Sequence, residues 1–135
     1  MKRTFVDSGV LIAAARGAEP LFARVLAILD DPEREFVSSA FVKLETLPKA
    51  IYQQRAAEVA IYEEFFEQVH HWVDDLNDLT PAAYQEACRC GLSAVDALHV
   101  TAAAAAGADE LVTTERPTSP LHRTTMVQVV SIRDS

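Results

Sequence analysis

The chain has 135 residues, of which 50% are hydrophobic and 24% are charged, so we expect one domain over residues 1–135 with a core of its own. Its 20 Asp and Glu outnumber its 12 Lys and Arg and give a net charge of −8, which argues against a generic nucleic-acid coat and a polybasic membrane binder. An enzyme whose acids surround metal ions is still allowed, because the ions supply local positive charge.

The cysteines and the hydropathy pattern indicate the compartment. Cys88 and Cys90 lie one residue apart and cannot define a disulfide framework, which is typical of a reducing environment. Asp7 interrupts the early apolar stretch that a signal peptide would need, and no apolar run approaches the roughly 18 to 20 residues that cross a bilayer. We therefore expect a cytoplasmic protein with no membrane partner.

Apolar runs and helical spacing of apolar residues predict the elements in chain order. The sequence predicts a strand at 3–7, a helix at 20–31, a strand at 34–39, helices at 39–55 and 56–69, a weak strand at 70–76, helices at 79–91 and 93–107, and strands at 109–114 and 124–132. Strands that alternate with helices favour parallel pairing through right-handed crossovers. The expected fold class is therefore an α/β sandwich.

Polar residues and prolines predict where the helices begin. Ser38 or Ser39 can cap the helix at 39–55. Thr80 is the expected N-cap of the helix at 79–91, because Pro81 suits the first helical position. The aspartates at 74–78 are then expected to lie in a solvated loop before this helix.

Acidic residues follow several of the predicted strands. Asp7 ends the first strand, Glu45 lies early in the helix after the second, and Glu115 follows the strand "LVTT". Asp96 lies in the first turn of the helix that Ser93 opens, where the positive end of the helix favours a carboxylate. Ligands of open α/β sheets bind outside the carboxyl ends of the strands, so these acids are expected to meet at one edge.

Each acid also has a structural explanation. Asp7 with Ser8 can cap a following helix, and Asp96 has the spacing of a capping box in "SAVD". Glu45 can be a rim residue beside an apolar stripe, and Glu115 a turn residue. The case for a site therefore depends on the convergence of these side chains. Carboxylates gathered at one edge repel each other unless they are protonated or bridged by cations, and such oxygen ligands suit Mg²⁺ or Mn²⁺.

Three stretches of this chain resemble a known family. They are "FVDSGVLIAA" near the start, "SSAFVKLE" in the middle and "GLSAVDALHVTAAAAAGADELVTTE" late in the chain. In this order they are similar to a PIN domain, the fold of the VapC ribonuclease toxins of bacterial toxin–antitoxin pairs. The resemblance extends from Thr4 to about Val130 and implies a three-layer α/β/α sandwich with a central, mostly parallel sheet.

The resemblance also implies a function and its residues. Asp7, Glu45 and Asp96 would bind the metal of a magnesium- or manganese-dependent endoribonuclease. Ser8 matches the small hydroxyl residue that commonly follows the first acid and is a candidate substrate contact. The implied partners are RNA, a cognate antitoxin and a second copy in a homodimer.

The chain departs from the family pattern after the strand "LVTT". The family commonly has Asn or Asp there and then an Asp-Phe pair, whereas this chain reads "TTERPTSPLHR". Glu115 is then the fourth acid, and Arg116 and Arg123 are candidate contacts to RNA phosphates, with surface solubility as the alternative. His99, one turn after Asp96, is expected to be a packed residue or a partner of a ligand, and not itself a ligand.

Two other functions fit parts of the sequence. The altered segment after Glu115 motivates a catalytically weak PIN-fold module that binds RNA or protein and acts in regulation. A haloacid-dehalogenase-type phosphatase also begins with an aspartate at a strand end, but that family needs a second Asp two residues on, where this chain has Gly9. The ribonuclease is therefore the favoured hypothesis.

Overall fold

A computed structural model describes residues 1–133 of the chain. Its elements are, in chain order, β1 (Lys2–Val6), α1 (Ser8–Arg16), α2 (Phe22–Leu29), β2 (Arg34–Ser38), α3 (Ala40–Tyr52), α4 (Ala56–Glu67), β3 (His71–Trp72), α5 (Leu76–Cys90), α6 (Ala94–Ala105), β4 (Glu110–Thr113) and β5 (Gln128–Ser131). A short 3₁₀ helix at Pro120–Arg123 lies between β4 and β5.

The five strands form one parallel sheet in the order β3-β2-β1-β4-β5. Phe5 pairs with Val37 on one side and with Leu111 on the other, which puts β1 in the centre. The chain adds strands to one side of β1 as far as β3 and then returns to the other side with β4. The order therefore reverses between β1 and β4, and an α/β sheet opens a crevice at such a reversal.

Helices cover both faces of the sheet, so the predicted three-layer α/β/α sandwich is confirmed. Phe5 points to α6, where its ring contacts His99. Phe36 is level with Thr4, the neighbour of Phe5, and points to the opposite face, where it contacts Phe65 of α4. Helices α1, α2 and α4 pack together on that second face, α5 and α6 pack on the first, and α3 contacts α1, α4 and α6.

Helix α1 was not among the predicted helices. Asp7 and Ser8 interrupt the apolar sequence after β1, but the "GVLIAAA" that follows is apolar throughout, so no helical alternation of polar and apolar residues marks α1. Val10 and Leu11 are buried, and Gly17 ends the helix with a φ of 60°, a left-handed conformation that glycine adopts at little cost.

The predicted start of α5 is wrong. The helix begins at Leu76, because Asp75 caps it by accepting a hydrogen bond from the Asp78 amide at 3.2 Å. Thr80 and Pro81 therefore lie inside the helix, and the Thr80 hydroxyl donates to the carbonyl of Leu76 at 2.6 Å. Asp75 and Asp78, expected in a solvated loop, thus make the cap and first turn of α5.

The start of α3 also uses an aspartate in place of the expected serine. Ser39 occupies the N-cap position, but its side chain makes no capping hydrogen bond. Asp74 Oδ1 instead accepts from the amide of Ala40 at 2.6 Å. Pro48 does not end this helix, which continues to Tyr52.

Acids at the amino edge of the sheet have cationic partners. Glu110, at the start of β4, is buried, and its carboxylate accepts a hydrogen bond from Thr4 Oγ1 at 2.8 Å. Arg34 Nε lies 3.2 Å from the same carboxylate and Lys2 Nζ lies 3.6 Å from it. Two cations therefore offset the cost of burying this charge.

Glu86 on α5 is a second buried and paired acid. Its oxygens accept from Arg89 Nε at 2.8 Å and from Arg89 Nη2 at 2.9 Å, and the hydroxyl of Thr124 also donates to it. The bonds from Arg89 are the largest influence and outweigh burial, so the pKa of Glu86 lies below its ordinary value. This acid ties the segment after the 3₁₀ helix to α5.

We expect Glu86→Gln to lower the free energy of unfolding at pH 7 by about 1–3 kcal/mol, because the amide weakens the charge-assisted bonds to Arg89 and Thr124. Since the native pKa is lowered, the stabilisation is present above the ordinary value of about 4.3 and is lost as pH falls through the native pKa. Denaturant unfolding at pH 7 and pH 3 should therefore show a difference that shrinks in acid. Glu64→Gln, on the exposed face of α4, is the control and should change stability by less than about 0.5 kcal/mol.

Candidate functional site

Asp7 lies at the carboxyl end of the central strand. Its amide still donates to the carbonyl of Val112 on β4 at 3.0 Å, so the backbone position is fixed by the sheet. Asp7 occupies the N-cap position of α1, yet its side chain makes no capping hydrogen bond. Oδ2 instead accepts from Thr113 Oγ1 at 2.8 Å. The carboxylate therefore faces the crevice between β1 and β4 and does not cap the helix.

Glu45 reaches the same place from the second turn of α3. Oε1 lies 2.6 Å from His99 Nε2 and also accepts a hydrogen bond from the Ser8 hydroxyl. Partial burial acts to raise the pKa of Glu45, but the bonds from His99 and Ser8 outweigh it, and the pKa is lowered. This glutamate is therefore held as a carboxylate by two donors.

Asp96 enters from the first turn of α6. The predicted cap is confirmed, because Ser93 Oγ accepts from the Asp96 amide at 3.2 Å. Burial raises the pKa of the Asp96 carboxyl, and the charges of Asp7 and Glu115 raise it further. Asp96 is therefore close enough to both acids for their negative charges to oppose its ionisation.

Glu115 follows β4 and is exposed. Its amide donates to Thr113 Oγ1 at 3.0 Å, and this same hydroxyl donates to Asp7. Thr113 therefore links the ends of β1 and β4. Asp96 is within electrostatic reach of Asp7 and Glu115, while Asp7 and Glu45 are the two predicted acids that the structure places in one group of possible metal ligands.

His99 joins the predicted acids more closely than the sequence suggested. It is 2% exposed, and its Nε2 lies 2.6 Å from Glu45 and 3.8 Å from Asp7 Oδ1. One ligand atom from each of Asp7, Glu45 and His99 lies within 4.8 Å of the others, a spacing that could hold a metal ion. The helical spacing of Asp96 and His99 was the signal in the sequence, but it could not reveal the contact with α3.

The charge balance at this edge fits a metal site. Within residues 1–133, no Lys or Arg forms an ion pair with Asp7, Glu45, Asp96 or Glu115. The acids at the amino edge, in contrast, contact Lys2 and Arg34. Crowded carboxylates without cationic side chains, beside one imidazole, are a donor set that suits Mg²⁺ or Mn²⁺.

The three predicted substrate contacts lie in different surroundings. Ser8 is 4% exposed, and its hydroxyl donates to Glu45. Arg116 is exposed directly after Glu115. Arg123 is also exposed, but its Nη1 donates to the carbonyl of Cys90 at 3.2 Å, at the end of α5. Ser8 and Arg116 directly follow acids of the site in the sequence, Asp7 and Glu115, and Arg116 is the exposed one of the two.

A parallel α/β sheet with acids gathered at its strand-order reversal defines the class of protein. The model of the PIN domain matches residues 4–116, and the chain belongs to the PIN domain family. No curated protein matches the chain.

Solved structures of the same fold support this assignment. The chain is similar to VapBC2 from Rickettsia felis bound to a DNA fragment from its promoter, with a TM-score of 0.72 and 15% identity over 96% of this chain and 98% of that one. It is similar to a toxin–antitoxin complex from Klebsiella pneumoniae, with a TM-score of 0.71 and 14% identity over 98% of this chain and 99% of that one. It is also similar to DNA-bound VapBC from Salmonella typhimurium, with a TM-score of 0.68 and 16% identity over 98% of this chain and 100% of that one.

In residues 1–133, no helix is long and apolar enough to cross a membrane.

We expect His99→Gln to weaken Mn²⁺ binding by about 10- to 100-fold, because the imidazole that fixes Glu45 beside Asp7 is lost. Isothermal titration calorimetry on the metal-free protein measures this affinity. His71→Gln is a matched control, since His71 Nε2 bonds Glu35 at 2.7 Å in a separate pair. Equal affinity of His99→Gln and wild type would reduce His99 to a packing residue.

Proposed function

We propose that residues 1–135 act as one PIN-like domain that hydrolyses RNA phosphodiester bonds with Mg²⁺ or Mn²⁺. One observation carries the proposal: Asp7 and Glu45 lie in one group of possible metal ligands with His99, and Asp96 is within electrostatic reach of Asp7 and Glu115, with no Lys or Arg partner to these acids among residues 1–133. An unbalanced cluster of this kind opposes its own ionisation, so a divalent cation is the natural counter-charge. Membership of the PIN family adds to this support, since such domains are generally nucleases.

Asp7, Glu45, Asp96 and Glu115 are the residues that would hold the ion. When bound, it supplies Lewis acidity and positive charge for phosphodiester hydrolysis. Thr113 fixes the orientation of Asp7, while His99 and Ser8 fix that of Glu45. These bonds hold the donor oxygens before substrate arrives, which reduces the reorganisation needed in the reaction.

The backbone after Asp7 also packs closely against the end of β4. A Cβ added to Gly9 would lie 2.3 Å from Thr114 Oγ1, so a glycine lets the start of α1 approach the end of β4 closely. This close approach keeps the segment that carries Asp7 next to the segment that carries Glu115. A side chain at position 9 would force these two elements apart or turn the Thr114 hydroxyl.

RNA cleavage by the purified protein with Mn²⁺ tests the function. We expect Asp7→Asn to reduce the cleavage rate by about a hundredfold or more, because the central donor loses its charge while its oxygen can still accept from Thr113. Time courses on structured RNA, followed on denaturing gels, give the rates. Equal cleavage by both proteins would place the activity elsewhere, and no cleavage by either would favour the RNA- or protein-binding module.

We further propose that the protein is the toxin of a type II toxin–antitoxin pair. The support is the fold shared with the toxin–antitoxin complexes described above. The same cleavage assay tests this partner: a small protein encoded by the neighbouring reading frame should bind the chain and block cleavage. A gene without such a neighbour would argue against the toxin role and leave the nuclease proposal standing. The homodimer and the cytoplasmic location stay predictions.

A further inference from the structure

Arg133 lies beside the site, although nothing in the sequence singled it out. Ser131, the last residue of β5, pairs with Thr113 of β4. Two residues later, Arg133 Nε donates to the carbonyl of Thr114 at 2.6 Å. Ser131 Oγ donates to the carbonyl of Glu115 at 2.6 Å and accepts from the Arg133 amide at 3.0 Å. Arg133 is therefore fastened to the residue that precedes Glu115.

The guanidinium of Arg133 has most of its hydrogen-bonding capacity free. An Arg side chain has five N–H donors, and only the Nε–H of Arg133 has a partner among residues 1–133. The residue is exposed and forms no ion pair with a carboxylate in that range. At the amino edge, in contrast, Arg3 and Arg34 both pair with acids. Arg133 thus keeps a charged pair of Nη groups without a carboxylate partner in that range, on a side chain anchored next to Glu115.

The free Nη groups of Arg133 can offset the repulsion between the acids of the site and the phosphates of RNA. The chain has a net charge of −8 and gathers four acids in its crevice, so an approaching RNA backbone meets negative charge. A guanidinium fork matches the geometry of a phosphate, and anchoring through Nε reduces the entropy lost when the phosphate binds. Arg133 offers such a fork on the β5 side of the crevice.

We propose that Arg133 binds a backbone phosphate of the RNA at this rim and so positions the strand across the acids. The inference rests on the proposed ribonuclease function and names a phosphate-binding residue for it. The contact involves the sugar–phosphate backbone alone, so it contributes to affinity for RNA of any sequence. Its signature is a dependence of RNA binding on salt, because each neutralised phosphate releases counterions.

Binding of a fluorescently labelled single-stranded RNA in Mg²⁺, measured by anisotropy over a series of NaCl concentrations, tests the proposal. The parent protein carries Asp7→Asn, so that the RNA stays intact. Adding Arg133→Gln should weaken binding at low salt by about two- to fivefold. It should also reduce the slope of log K against log salt by about 0.7, the value for one contact to a single strand.

Three control variants separate the charge from other effects. Arg16→Gln removes the same charge at the far end of α1, about 12 Å along the helix from Ser8, where Arg16 pairs with Glu58; it should leave the slope unchanged. Arg133→Lys keeps the charge and should restore the slope. Ser131→Ala loosens the segment around Glu115 without changing charge, and should also keep the slope.

The outcomes distinguish this inference from the function on which it rests. If the parent binds RNA and Arg133→Gln has the parent's slope, Arg133 makes no phosphate contact, while the ribonuclease proposal stands. If Ser131→Ala lowers the slope as much as Arg133→Gln does, the effect comes from the position of the segment around Glu115 and not from the charge of Arg133. That result would overturn the inference. If the parent shows no salt-dependent RNA binding, the proposed function and the inference both fail.

Discussion

Repulsion among carboxylates at the reversal point of the sheet is the constraint on which this site depends. The pKa of Asp96 is raised by burial and by the charges of Asp7 and Glu115. The folded protein therefore disfavours the negative charge of this carboxylate. Such an arrangement costs stability unless a cation compensates it. The scaffold bears this cost at the carboxyl edge, while it neutralises buried Glu110 at the amino edge with Lys2 and Arg34.

Side-chain hydrogen bonds keep the repelling acids in place. Thr113 connects Asp7 to the Glu115 amide, and thereby joins the ends of the two strands that border the crevice. His99 bonds Glu45 across the contact between α6 and α3, with its ring packed on Phe5 of the central strand. Because these contacts come from the sheet and from helices α3 and α6, the oxygens of Asp7 and Glu45 are held by regular elements, whereas Glu115 lies in the segment after β4 and is held through its amide.

The architecture and the four acids could be predicted from the sequence, because both depend on the order of strands and helices and on the residues at their ends. Carboxyl ends of parallel strands share an edge, so Asp7 and Glu115 had to lie at the same side of the sheet once the strands were placed. The Ser93 cap likewise depends on residues three positions apart. The predicted elements failed where local signals compete or are missing: Asp75 caps α5 in place of Thr80, and the uniformly apolar "GVLIAAA" of α1 shows no helical alternation of polar and apolar residues.

The contacts that the sequence could not reveal are those between distant elements. The bond from His99 to Glu45 depends on how α6 approaches α3, and the position of Arg133 depends on the register of β5 against β4. No local pattern fixes either geometry, since both result from packing and pairing over long sequence separations. These contacts nevertheless determine which acid is held as a carboxylate and which cation lies beside the crevice.

Thermal unfolding of the metal-free protein at pH 7, with and without Mn²⁺, tests most directly whether this cluster requires a cation. Asp7→Asn removes one repelling charge and keeps an oxygen that accepts from Thr113, so the metal-free variant should be at least as stable as the metal-free wild type. Saturating Mn²⁺ should raise the Tm of the wild type by about 5 °C or more and that of the variant far less. A metal-free variant clearly less stable than the wild type, with an equal Mn²⁺-dependent gain in both, would contradict the account.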